Sequence, residues 1–153
     1  MTSNFEVATA GGTYRAPSYE DATVHDAMRH GVLSCRPDTP LSDVARMMAN
    51  YRVHAIVVTD TAPFDREPDQ HLWGVVTDEM VVRSGGLAGT RTAGGVATRD
   101  VVTVGPGDSL RDAVRAILAR DSSHAIVVGE RHGQPIGVLS TLDLADVIGR
   151  APR

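Results

Sequence analysis

The pentapeptide HAIVV occurs twice in this chain, at 54–58 and again at 124–128. An internal repeat constrains a fold more than composition does, because a small unit written twice packs against its own copy. Extended outward, residues 32–60 read VLSCRPDTPLSDVARMMANYRVHAIVVTD, and residues 102–130 read VTVGPGDSLRDAVRAILARDSSHAIVVGE. Pro37 aligns with Pro106, Leu41 with Leu110 and Asp43 with Asp112. Leu41 to His54 is 13 positions, and Leu110 to His124 is 14. Matching the histidines therefore predicts one residue gained or lost near the helix end.

Both copies show the same local signals. A short extended piece leads to a proline and a cap, Thr39 or Ser42 in one copy and Asp108 or Ser109 in the other. Leu41, Val44, Ala45 and Met48 then form one apolar helical stripe, repeated by Leu110, Ala113, Val114 and Ile117. AIVV is short, β-branched and wholly apolar, so it predicts a strand buried on both faces. The next strands are LWGVV (72–76) and PIGVL (135–139), followed by the helices TDEMVVR and STLDLADVIGR. The loop TDTAPFDREPDQH is long and acidic, whereas its counterpart GERHGQ is a tight turn. The expected class is α/β (α+β): two β-α-β-β-α units about a pseudo-twofold axis. The expected segments are a flexible N-terminal tail (1–20), repeat one (21–82), a glycine-rich flexible linker (83–95) and repeat two (96–150).

Composition closes several routes. All 15 basic residues are Arg, which removes any P-loop lysine and any Schiff base. The net charge of −4 argues against a nucleic-acid binder. Aromatics are 4%, so aliphatic side chains must fill the core. Cys35 is the sole cysteine, which suits a reducing cytoplasm. No apolar run approaches the ~20 residues of a membrane span, and the N-terminus carries no signal-peptide pattern. GGLAG lacks the flanking strand and helix of a dinucleotide fingerprint. His25 and His30 are five apart, off the helical spacing that would pair them as metal ligands, so no metal site is expected. No motif supplies a nucleophile with its base, so no enzyme activity is expected.

The segments TVHDAM and TAGGVAT, YRVHAIVVTD and SSHAIVVGE, and GVVTDEM and GVLSTLD occur in the same order in each copy. In that order they resemble the CBS domain, named after cystathionine β-synthase, from about Thr23 to Arg150. Two such domains form a Bateman module. The resemblance implies a sensor that binds AMP, ADP, ATP or S-adenosylmethionine in a cleft between repeats and dimerises through its helices.

Site residues follow from that resemblance. Ser140 and Asp143 read by themselves as a helix capping box. In the family the aspartate bonds both ribose hydroxyls, and the Ser/Thr contacts ribose or phosphate. A carboxylate is a suitable acceptor for a cis-diol, and a helix start favours an anion. Repeat one keeps Thr77 but has Met80 at the aspartate position. Asp78 and Glu79 are expected to point elsewhere, leaving one competent ribose site or an asymmetric pair in which the Thr77 side is empty or altered. His54 and His124 stand where relatives place a phosphate-binding histidine, although edge-of-strand histidines are common without any ligand. Ala55 and Ala125 replace the arginine that follows in those relatives, which lowers the expected charge for a polyphosphate. Val32, Leu33, Val53 and Val138 are expected beside the adenine. The alternative is a ligand-free interaction or dimerisation module with vestigial clefts, contacting a protein partner through loop 59–71 and the N-terminal tail.

Overall fold

In the computed structural model, residues 7–9, 12–14, 17–60, 72–130 and 133–150 are described. Their elements run β1 (Val7–Thr9), β2 (Gly12–Tyr14), α1 (Val24–Ala27), β3 (Arg29–His30), β4 (Ser34–Cys35), α2 (Leu41–Tyr51), β5 (Ala55–Thr59), β6 (Leu72–Thr77) and α3 (Asp78–Ser84). A 3-10 turn (Gly85–Leu87) leads to α4 (Ala93–Val96), β7 (Thr103–Val104), α5 (Leu110–Ala119), β8 (His124–Val128), β9 (Pro135–Ser140) and α6 (Thr141–Gly149). The mixed α and β architecture is the one expected. Most of loop 59–71 lies outside the described residues.

The N-terminal stretch is not wholly a free tail, since β1 and β2 pair antiparallel. The segment 83–95 is not an open linker either. Gly85, with a positive φ of 49°, caps α3, and the chain then turns twice before α4. This segment also caps α2. The amides of Leu41 and Ser42 donate to the carbonyls of Arg91 (2.8 Å) and Ala88 (3.2 Å). That explains why neither Thr39 nor Ser42 is the cap: Pro40 occupies the N-cap with no side-chain bond, and backbone from elsewhere satisfies the free amides. In α5 the cap is Ser109, whose hydroxyl accepts from the Asp112 amide.

The two repeats exchange their entrances. Strand β3 of the first repeat pairs antiparallel with β9 of the second, so one sheet runs β3-β9-β8-β7 and the other β4-β5-β6. Ala22, Val24 and Met28 are buried with Leu110, Ala113, Ile117, Ala125, Val127, Leu139, Leu144 and Val147 of the second repeat. Reciprocally, Ala93 is buried with Leu41, Val44, Met48, Ile56, Val58 and Val76 of the first. A third cluster of Val57, Val75 and Ile126 joins the two. Neither repeat therefore owns a complete core.

Sheet register overturns one expectation. Ser34 pairs with Val57 as Thr103 pairs with Ile126. Ala55 pairs with Thr77 as His124 pairs with Ser140. The copies thus correspond at a constant offset of 69 (34 to 103, 55 to 124), with no insertion. The helix-to-strand distance is 14 positions in both, Leu41 to Ala55 and Leu110 to His124. The two HAIVV strings are consequently not counterparts. They are slipped by one residue, so His54 corresponds to Ser123 and His124 to Ala55. The carbonyls agree: His54 accepts from the Asp78 amide and Ser123 from the Thr141 amide. A one-residue slip reverses which face each side chain meets. It is tolerated here because both faces of β5 and β8 are apolar and buried.

The exchange depends on two glycines. A Cβ at Gly137 would stand 2.5 Å from the Arg29 carbonyl oxygen and 3.2 Å from the Met28 sulfur. A Cβ at Gly74 would stand 2.7 Å from the Thr98 carbonyl oxygen. Each is where the other repeat's entrance crosses the strand. Gly137→Ala should therefore push β3 off β9 and destabilise the fold by about 1–3 kcal/mol, read as a lowered urea midpoint. Substituting the open Gly107, which has nothing within 4 Å, should leave that midpoint nearly unchanged.

Candidate functional site

The exchanged strand opens one large cleft. Its volume is about 670 Å³, within the range of small-molecule sites. Residues 29–33, residues 52–55, Asp78, the Ser123–His124 edge and the β9–α6 junction line it. Val32, Leu33, Val53 and Val138 all lie on its walls, and Ser140, Asp143, His54 and His124 lie on the same cleft. Thr77 does not. It lines a second cavity of about 220 Å³ with Met80.

Strand β9 runs straight into α6, so Ser140 sits at the helix start and Asp143 one turn on. The two form a capping box. Asp143 Oδ2 accepts from the Ser140 amide and hydroxyl, both at 2.9 Å, and the Asp143 amide donates to Ser140 Oγ at 3.2 Å. The other carboxylate oxygen, Oδ1, accepts from Arg29 Nε at 3.4 Å. Asp143 is largely enclosed, its side chain 12% exposed, whereas that of Arg29 is 64% exposed.

Two arginines supply the charge that Ala55 does not, and by the register the counterpart of Ala55 is His124 rather than Ala125. Arg29 arrives on the exchanged strand. Arg52 caps α2 in the left-handed region at φ 54°, which sets it beside Val53 on the cleft. Neither position was singled out in the sequence. Arg29 belongs to the other repeat's sheet, and Arg52 reads as an ordinary surface residue at a helix end. Its glycine-like backbone position was the one available signal, and φ is not written in the residue type.

Asp78 corrects a further expectation. It lies in the main cleft, where its Oδ2 is 2.8 Å from His54 Nδ1. As the first residue of α3 it points across to the strand edge rather than along the helix face below Thr77. The His54 hydrogen bond holds its carboxyl below the ordinary carboxylate value. Glu79, also expected to point away, lines the second cavity. His124 is half-buried, and burial lowers its pKa from 6.5 against an opposing pull from Asp78. His25 and His30 do meet, with ring centroids 4.9 Å apart. The chain leaves α1 after Ala27 and extends, so helical spacing was the wrong measure. Among the described residues no group of three or more His, Cys, Asp or Glu is placed to hold a metal.

The second cavity is the counterpart of the first. Met80 replaces Asp143, Thr98 replaces Arg29 and Asp121 replaces Arg52, with Asp121 again left-handed at φ 48°. Glu79 and Asp100 add further negative charge, against Arg120, which pairs with Asp100.

The family model for the CBS domain matches residues 24–85 and again 93–150. The chain belongs to the CBS domain family. Solved structures agree in fold. An uncharacterised conserved protein from Pyrococcus horikoshii superposes with a TM-score of 0.71 at 20% identity, covering 88% of this chain and 97% of that one. The CBS domain pair of protein MJ0100, solved with 5-methylthioadenosine and S-adenosyl-L-methionine, gives 0.71 at 16% identity, covering 84% and 96%. CBSX2 in complex with AMP gives 0.66 at 22% identity, covering 81% and 93%. No curated protein matches this chain. No helix among the described residues of this CBS pair is long and apolar enough to cross a membrane.

The depressed pKa of His124 has a signed consequence. The unfolded chain takes up its proton near the ordinary value of 6.5, while the folded chain resists. The associated stability is present above that value and falls as pH drops through it. The thermal midpoint should thus fall between pH 7.5 and 5.5, and His124→Gln should flatten that fall. An unchanged slope in the variant would remove His124 from the account.

Proposed function

We propose that this CBS pair is a regulatory module that binds one adenosine-containing ligand per chain, AMP, ADP, ATP or S-adenosylmethionine, in the main cleft. One observation carries the reading: an apolar-walled cavity of nucleotide size ends at a helix N-terminus whose enclosed carboxylate is Asp143. The relatives solved with AMP and with S-adenosyl-L-methionine support the ligand class. In this reading Asp143 takes the ribose hydroxyls, Ser140 and the start of α6 sit by the anionic end, and Val32, Leu33, Val53 and Val138 enclose the base. His54 and His124 stand at the phosphate side with Arg29 and Arg52. Arginines bind phosphate well through their planar fork, which favours a phosphorylated ligand over a cationic sulfonium. The acidic second cavity, with Thr77 and Met80, stays without a nucleotide.

The ligand would act by stabilising the inter-repeat arrangement that closes on it. No catalytic constellation is assigned, and the module regulates rather than reacts. Exposed apolar side chains on α2, α3, α5 and α6 (Tyr51, Val82, Leu118, Leu142 and Ile148) are the surfaces through which we expect a homodimer. The half-buried free thiol of Cys35, its pKa raised by burial, fits a cytoplasmic setting.

Titration calorimetry should show one site per chain. At about a hundred times Kd, binding should add roughly 2.7 kcal/mol, several degrees of thermal midpoint. Asp143→Ala should abolish that shift, because the diol loses its acceptor. A second reading is a ligand-free interaction module with vestigial clefts. It is favoured by the fact that Asp143 is already satisfied by Ser140 and Arg29. A folded, dimeric sample that responds to no adenosyl compound would establish it.

A further inference from the structure

We infer that Arg29 is an exchangeable gate on Asp143, and that it makes the main cleft discriminate phosphorylated from unphosphorylated nucleosides. The inference rests on the adenosine reading above and goes beyond it. Both lone pairs of Asp143 Oδ2 are engaged by the Ser140 amide and hydroxyl. A diol must therefore place both of its hydroxyls on Oδ1, and one of the two lone pairs there already accepts from Arg29 Nε at 3.4 Å. Ribose and Arg29 compete for one atom.

The competition is readily resolved in favour of a ligand. The Arg29 contact is long and single, made by Nε rather than by the terminal fork. An ion pair with one partner mostly exposed contributes little. Its loss leaves a guanidinium on the cleft wall with five free donors. Arg29 is held there by backbone pairing, Arg29 to Val138 and His30 to Gly137, so the side chain can move while the strand stays. Arg52, His54 and His124 line the same cavity. A ligand phosphate entering it gives the displaced guanidinium a bidentate partner stronger than the one it left. A nucleoside without phosphate displaces Arg29 and offers nothing in return.

The second cavity lacks the device at every point. Thr98 stands at the Arg29 position and Met80 at the Asp143 position. The gate is therefore a property of one cleft and not of the repeat.

The test compares adenosine with AMP by calorimetry on the full chain. Wild type should bind AMP more tightly than adenosine. Arg29→Met and Arg29→Gln should move the two in opposite directions. Adenosine should tighten about two- to fivefold as its competitor goes, and AMP should weaken about tenfold or more as its partner goes. Arg52→Gln should weaken AMP without tightening adenosine, and adenosine tightening in that variant as in the Arg29 variants would overturn the gate. Equal weakening of both ligands in the Arg29 variants would overturn the gate while leaving the adenosine site standing, and so would no change in either. Failure of wild type to bind either compound would overturn both readings together.

Discussion

Each repeat is completed by the other's entrance, and every later feature of the molecule depends on that exchange. The exchange is a packing requirement. A unit of about sixty residues buries too little apolar surface alone, and each one leaves a gap that Ala22, Val24 and Met28, or Ala93, fill from its neighbour. The crossing needs two backbones almost in contact, so a residue without a Cβ stands at Gly74 and Gly137. The same crossing carries Arg29 to the rim of α6. Core formation and site formation are thus one event.

The symmetry of the fold is close, but the symmetry of its chemistry is not. Corresponding positions hold Asp143 and Met80, Arg29 and Thr98, Arg52 and Asp121. The main cleft sets Arg29 and Arg52 against Asp143 and Asp78, whereas the smaller one sets Arg120 alone against Glu79, Asp100 and Asp121. In the first the arginines balance the carboxylates and leave guanidinium donors for an anion, while the second carries a net negative charge that repels one. Duplication supplied two clefts on one scaffold, and substitution at a few lining positions left them with different capacities.

Much of the fold was legible in the sequence. The apolar stripes of α2 and α5, read from a period of 3.6, the wholly apolar β-branched strand runs and the Gly-to-Ser/Thr junctions before α3 and α6 are local patterns. The Ser140–Asp143 capping box was legible for the same reason. The equivalence of the HAIVV strings was misread. An all-apolar strand carries no alternation to mark its face, so a string match cannot detect a one-residue slip; only the pairing with β6 and β9 does. The exchange of entrances went unread as well, because α1 and α4 are single turns whose few apolar residues do not say which core they fill.

The amino-acid sequence by itself determined that this chain is one unit written twice, with a carboxylate three residues into the final strand-to-helix junction in only one copy, Asp143 against Met80. Those are properties of residue type and local spacing. Tertiary structure alone decided which copy each entrance completes, which face of the strand each histidine meets, and that Arg29 lies against Asp143 across 114 positions of chain. Such contacts form between segments distant in sequence, where no local periodicity reports the partner.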